Sequence, residues 1–218
     1  MKKTLFTLLS LIVALIGAGI WWRWASRRRQ LPCPTWLAGL LDNPLTEAVA
    51  GTKTTLDRIG LQPGEYVLDV GSGPGRLAVP AAQRVGPDGR VIALDVQPEM
   101  LARLQERAAE AGVTNITSQL ADIAGDTTLP ANNFDRAWLV TVLGEIPDRE
   151  AALRNLWHLL KPGGTLSITE IFPDPHYQSR STVLKLGRTA GFEPTRYWGT
   201  PLAFTQNFVK SNEHVRNG

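Results

Sequence analysis

The stretch Asp69-Val70-Gly71-Ser72-Gly73-Pro74-Gly75-Arg76 sets one carboxylate and three alternating glycines at the end of a short apolar run. Glycine has no Cβ, so such a segment can turn sharply and bring its backbone against a ligand. A dinucleotide-binding turn would read G-x-G-x-x-G. Here the third glycine comes one residue early, and Arg76 stands where that motif ends. Asp95 closes a second apolar run about twenty residues on, where a carboxylate can accept hydrogen bonds from both hydroxyls of a ribose. A glycine-rich turn alone is a weak signal. Strand, glycine loop, helix and a second strand ending in an acid make a much stronger one.

These residues need elements to hold them, and the chain supplies an alternation. Tyr66–Gly71 and Arg90–Val96 read as β-branched strands flanking a helix over 75–85, with the turn Gly86-Pro87-Asp88-Gly89 between. Pro98 opens a helix with Leu101, Leu104, Ala108 and Ala111 on one face, ended by Gly112. Residues 115–122 and 134–143 are two further strands. Asp148 is placed to cap a helix that turns Leu153, Leu156, Trp157 and Leu160 inward, broken by Lys161-Pro162-Gly163-Gly164. Strand 165–172, a helix over 179–190, and strands 196–199 and 202–210 follow. Alternating units predict an open parallel sheet with helices on both faces. The last two strands are too close for a crossover and must pair antiparallel.

Composition narrows the chemistry. One Cys in 218 residues excludes an intramolecular disulfide framework and Cys-rich metal sites, and three scattered His (158, 176, 214) argue against a His-built centre. The net charge of +3 is a misleading average. Six basic residues and no acid fall in 1–30, leaving 17 basic against 20 acidic residues in 31–218. That body lacks the clustered positive charge of a nucleic-acid surface. Thr4–Trp22 is nineteen residues without charge, about 28 Å as a helix, followed by Trp24, Arg23 and Arg27–Arg29. It reads as an uncleaved membrane anchor whose flanking arginines favour a cytoplasm-facing body. A cleaved signal peptide is the alternative. The expected organisation is an anchor with basic flank (1–30), a helical lead-in or lid carrying Trp36, Leu37, Leu40 and Leu41 (31–64), a ligand-binding α/β domain (65–210) and a polar tail (211–218).

The sequence resembles the class I S-adenosylmethionine-dependent methyltransferases over about residues 62–210, most of all the ubiquinone/menaquinone C-methyltransferase-like branch. VLDVGSGPGR matches that family's first motif, VIALDVQPEML its second, QLADIAG its third, and LKPGG its turn before the fifth strand. The resemblance implies a seven-stranded Rossmann-like sheet finished by an antiparallel hairpin, with S-adenosylmethionine as cofactor. Gly71, Gly73 and Gly75 would shape the loop around its methionine and ribose parts, and Asp69 would contact the loop or the amino-acid end. Asp95 would hold the ribose hydroxyls, while Val96 and Gln97 would flank the adenine. Asp122 and the Ile123 backbone would receive the adenine edge, although Asp122 could equally cap the next turn. Thr141 would line the methyl-donor pocket. Pro74 departs from the Thr common in quinone-type relatives, so one hydroxyl contact is lost.

Displacement at a sulfonium methyl needs alignment and desolvation more than a metal or a triad. A base is required only where the acceptor must lose a proton. Glu145, Glu170 and the His176-Tyr177 pair are the candidates, with His176 and Glu145 put forward as catalytic. The anchor and the apolar lead-in point to a small lipophilic acceptor, a quinone precursor or lipid, met at a bilayer. Two other functions stay open: a tethered non-catalytic binding or assembly protein, and an NAD-dependent oxidoreductase. A nucleic-acid substrate is disfavoured, since Val142-Leu143-Gly144-Glu145 stands where an Asn/Asp-Pro-Pro-aromatic motif would be.

Overall fold

The computed structural model describes residues 51–125, 127–172 and 174–211. The expected anchor and most of the lead-in lie outside the described residues. Within them no helix is long and apolar enough to cross a membrane.

The described chain begins with α1 (Thr52–Ile59), which buries Thr55, Leu56 and Ile59 and stops where Gly60 takes a left-handed φ of 76°. Then come β1 (Tyr66–Val70), α2 (Ala78–Val85), β2 (Arg90–Asp95), α3 (Pro98–Glu110), β3 (Ile116–Leu120) and β4 (Phe134–Val140). The second half adds α4 (Arg149–Leu159), β5 (Leu160–Ile171), α5 (Arg180–Thr189), β6 (Phe192–Thr200) and β7 (Ala203–Lys210). The seven strands form one sheet in the order β3-β2-β1-β4-β5-β7-β6. β7 alone is reversed, lying antiparallel to both β5 and β6. The strand order turns back between β1 and β4, which opens a crevice at their carboxyl ends.

Capping follows the local chemistry. The Asp148 carboxylate accepts the Ala151 N–H at 2.8 Å, and the Ser179 hydroxyl accepts that of Thr182. Pro98 occupies the first turn of α3, where its missing N–H costs nothing. Ala111 caps α3 and is exposed, one step beyond the buried stripe Met100, Leu101, Leu104 and Ala108. Two hydrophobic clusters sandwich the sheet. One is built by Leu139, Leu153, Leu156, Ile168 and Phe208 beside α4 and α5, and the other by Leu56, Ile59, Ala78, Ala82 and Trp138 beside α1 and α2.

The strand expected over 134–143 stops at Val140, where Thr141 turns left-handed, and the helix expected from 75 begins at Ala78, after the glycine loop. Two further boundaries differ at register shifts. Lys161–Gly164 ends α4 as expected, yet β5 already starts at Leu160. Phe134 pairs with Leu160 and Arg136 with Thr165, so the four residues bulge out of a continuous strand. β6 begins at Phe192 rather than Arg196 and carries Pro194 next to a register shift. A proline is tolerated there because β6 is the outer strand.

Gly187 sets two effects against each other. An alanine would favour helix α5 by about 1 kcal/mol, but its Cβ would stand 2.5 Å from the Phe208 ring, which is fully buried. Overpacking of a rigid core costs about 1–3 kcal/mol. Gly187→Ala is therefore expected to lower the urea midpoint, and a raised midpoint would show that the Phe208 ring can shift freely.

Candidate functional site

A cleft of about 330 Å³ opens at the carboxyl ends of β1, β2 and β4. Its floor is the glycine loop, where Gly71, Gly73 and Gly75 all have positive φ, from 52° to 82°. Each serves a different need. A Cβ on Gly71 would stand 2.5 Å from Val142, one on Gly75 would press on Leu104 of α3 at 3.0 Å, and one on Gly73 would meet nothing within 4 Å. Gly71 therefore lets the β4–α4 turn close onto the loop, and Gly75 lets α3 pack. Gly73 leaves its backbone open to the cleft. Gly75 itself does not line the cleft, whereas Pro74 does.

Two carboxylates define the site's electrostatics. Asp95, 7% exposed, accepts the Gly73 N–H at 2.8 Å on one oxygen and the Gln97 N–H at 2.9 Å on the other. It thus fixes the loop and keeps lone pairs for a ligand. Burial raises its pKa, and those backbone donors oppose the rise. Asp69, 3% exposed, keeps one oxygen without a partner. Burial pushes its carboxyl up to about 7. The Trp138 indole lies near enough to oppose that shift, but its N–H closes no hydrogen bond. A buried acceptor left open at the head of a cleft fits a cationic ligand group.

The remaining walls come from neighbouring elements. Val96 is exposed at the rim, with Gln97 beside it. Asp122 and Ile123 close the far side. The Asp122 carboxylate also accepts the Ala124 N–H, so it caps its turn as well as lining the cleft. Thr141 has a left-handed φ of 57°, a strained choice for a β-branched residue. Its N–H donates to the Thr169 carbonyl at 2.8 Å, and its hydroxyl donates to the Val140 carbonyl at 2.7 Å. This turn lays Val142 over Gly71. Ser72, Arg76, Leu77, Met100, Ile146 and Pro147 also line the cleft and were not singled out from the sequence. Ser72 sits inside the glycine motif and Met100 inside the second one, which was the available signal.

The two candidate bases are separated. Glu145 lines the cleft. His176, 5% exposed, lines a second cavity with Gly144, Arg149, Gln178, Ser179 and Thr182. Its backbone N–H donates to Asp174. Tyr177 packs edge-on to Phe172 and Phe204, and its hydroxyl donates to the Pro201 carbonyl, so it braces the β6–β7 hairpin. Glu170 is 1% exposed. One of its oxygens accepts the Gln178 N–H at 3.0 Å and the other has no partner, while burial pushes the carboxyl up to about 8. Among the described residues no group of His, Cys, Asp and Glu is arranged to hold a metal ion.

Residues 67–164 match the family described as a methyltransferase domain. The chain is 34% identical over 140 residues to the nocamycin O-methyltransferase of Saccharothrix syringae, a match covering 64% of this chain and 50% of that protein. It is 33% identical over 116 residues to a ubiquinone/menaquinone biosynthesis C-methyltransferase of Vibrio cholerae, covering 53% of this chain and 45% of the relative. The chain thus spans about half the length of these curated relatives. A crystal structure of an S-adenosylmethionine-dependent methyltransferase from Aquifex aeolicus superposes with a TM-score of 0.75 at 24% identity, over 82% of this chain and all of that one. That likeness is one of fold.

Two raised carboxyls carry a pH signature. The folded protein keeps protons on Asp69 and Glu170 that the unfolded chain releases near their ordinary values of 3.8 and 4.5. Their contribution to stability is complete below those values and is lost as pH rises through about 7 and about 8. Glu170→Gln is expected to flatten the decline of the thermal midpoint between about pH 4.5 and about pH 8. An unchanged slope would mean that Glu170 ionises normally in the folded protein.

Proposed function

We propose that the chain is a member of the class I S-adenosylmethionine-dependent methyltransferase superfamily and moves a methyl group from S-adenosylmethionine to a small lipophilic acceptor at a membrane. The observation that carries the donor half is the pairing of Asp95, held by two loop N–H groups, with Asp69, buried and missing one partner. A ribose needs an acceptor pair and an amino-acid end needs an anion. The cleft offers both at the ends of adjacent strands.

S-adenosylmethionine, when bound, supplies a methyl group on a cationic sulfur with an excellent leaving group. The chain's task is to align and to exclude water. Asp69 would hold the positive amino-acid end and Asp95 the ribose hydroxyls. Val96 and Ile123 would sandwich the base, with Asp122 at its edge. Thr141 and Val142, locked by the strained turn, would close the wall beside the reacting carbon. Glu145, in the cleft wall, would take a proton from an acidic acceptor. His176 faces the other cavity and is assigned no proton transfer.

Support for a lipophilic acceptor comes from the uncharged Thr4–Trp22 run with its arginine flank. A likeness to a quinone-pathway C-methyltransferase leans the same way. The body would face the cytoplasm, following the basic flank. A tethered, non-catalytic reading is less favoured because the cleft keeps the glycine loop, both buried carboxylates and Glu145.

Asp95→Ala is expected to weaken S-adenosylmethionine binding about 100-fold, equivalent to about 2.7 kcal/mol, since it removes charge-assisted hydrogen bonds. Wild type and variant would be incubated with labelled donor and a membrane lipid extract. A one-methyl mass gain in a lipid with wild type only is the expected result. Binding of NADH without S-adenosylmethionine would overturn the proposal.

A further inference from the structure

The carboxyl edge of the sheet carries an apolar projection that the donor cleft does not use. Phe172 follows β5 and is 47% exposed, and Leu202 in the β6–β7 turn is 59% exposed. They are neighbours, because the Phe172 N–H donates to the Leu202 carbonyl at 2.7 Å. The projection is braced rather than loose. The Tyr177 ring meets Phe172 edge-on, and its hydroxyl holds the Pro201 carbonyl. β7 pairs with β5 through Ala203 and Ile171 at the same end, so both bulky side chains stand at one corner. Large apolar groups fixed side by side in solvent mark a contact surface.

Three observations point to one occupant. The described residues begin at this same edge. Thr52 is the second described residue, and its hydroxyl accepts a hydrogen bond from Arg76, a cleft-lining residue. Twenty-nine residues separate Trp22 from Thr52, enough for the edge to rest against whatever holds the apolar run. Charge at this corner comes from the two ends of one loop: Asp174 lies two residues past Phe172, and Arg180 opens α5, whose Lys185 and Arg188 lie further along toward the start of β6. Arg180 is at the end next to the projection, stacked on the Tyr197 ring at 4.1 Å.

We propose that Phe172 and Leu202 form a wedge that inserts into the interface of an anionic lipid bilayer, with Arg180 at the headgroups. The proposal rests on the lipophilic-acceptor reading and deepens it. Seated so, the bilayer lies along the edge into which the donor cleft opens, and an acceptor can pass from lipid to cleft without crossing water. Basic groups beside an apolar wedge are the combination that anionic interfaces hold.

The test uses the full chain in vesicles of mixed neutral and anionic phospholipid, with Cys33→Ser removing the native thiol. An environment-sensitive fluorophore is attached at Leu202→Cys or, as a control on the opposite edge, at the exposed Asp88→Cys. The expected result is a blue-shifted emission at 202, quenched severalfold more strongly by spin-labelled acyl chains than at 88. Adding Phe172→Asp should abolish that quenching while S-adenosylmethionine affinity stays unchanged. Equal quenching at both positions would overturn the proposal. So would a blue shift at 202 that acyl-chain quenchers leave untouched, since protein would then cover the wedge. Donor binding and methyl transfer by the wild type are read separately, so failure of the wedge is distinct from failure of the functional reading.

Discussion

Two carboxyl groups buried at the ends of neighbouring parallel strands impose the main constraint on this fold. Removing a carboxylate from water is costly unless donors replace the water. Asp95 obtains them from the backbone N–H groups of Gly73 and Gln97, which requires the glycine loop to curl back over β2. Asp69 is given none for its second oxygen and holds a proton into the neutral range instead. β1 is buried along nearly its whole length, so Asp69 cannot be relieved by solvent. The surrounding parts follow from that arrangement. The strand order reverses beside β1 to leave the crevice, α3 packs close against Gly75, and Thr141 accepts backbone strain so that Val142 can seal Gly71.

The carboxyl edge is divided by the segment 141–147. On one side it walls the donor cleft with Glu145, Ile146 and Pro147. On the other, Gly144 lies so close to the His176 carbonyl that a Cβ there would collide with backbone, and Arg149 donates to the Leu143 and Gly144 carbonyls. The turns after β4 and β5 are therefore locked together. This separates His176 from the donor cleft and turns Tyr177 outward to brace the hairpin, beside the exposed corner of Phe172 and Leu202.

Much of this is legible in the sequence. The alternation of apolar runs gave the sheet, and Asp148 and Pro98 announced their helices through capping chemistry that is local in sequence. Asp69, Asp95 and the glycines were legible because a motif at a strand end has one spatial meaning in such a sheet. What was not legible depended on tertiary contact. The bulge at Lys161–Gly164 and the passage of β6 through Pro194 are permitted by partners far along the chain. The burial of His176 is set by Gly144, thirty-two residues earlier, and no periodicity in 174–179 reports it. Gly75 belonged to the motif yet faces Leu104, a helix-packing role that its sequence position cannot distinguish from ligand contact.

Proton release on donor binding tests the central claim most directly. If Asp69 is protonated near neutrality because it lacks a partner, a cationic donor beside it will drive the proton off. Calorimetric titration of S-adenosylmethionine near pH 7, in buffers of different ionisation enthalpy, should then show release of about half a proton per site, vanishing in Asp69→Asn. Tight binding with no proton exchange would contradict the account, because the cleft's open carboxyl would not be what meets the donor's charge.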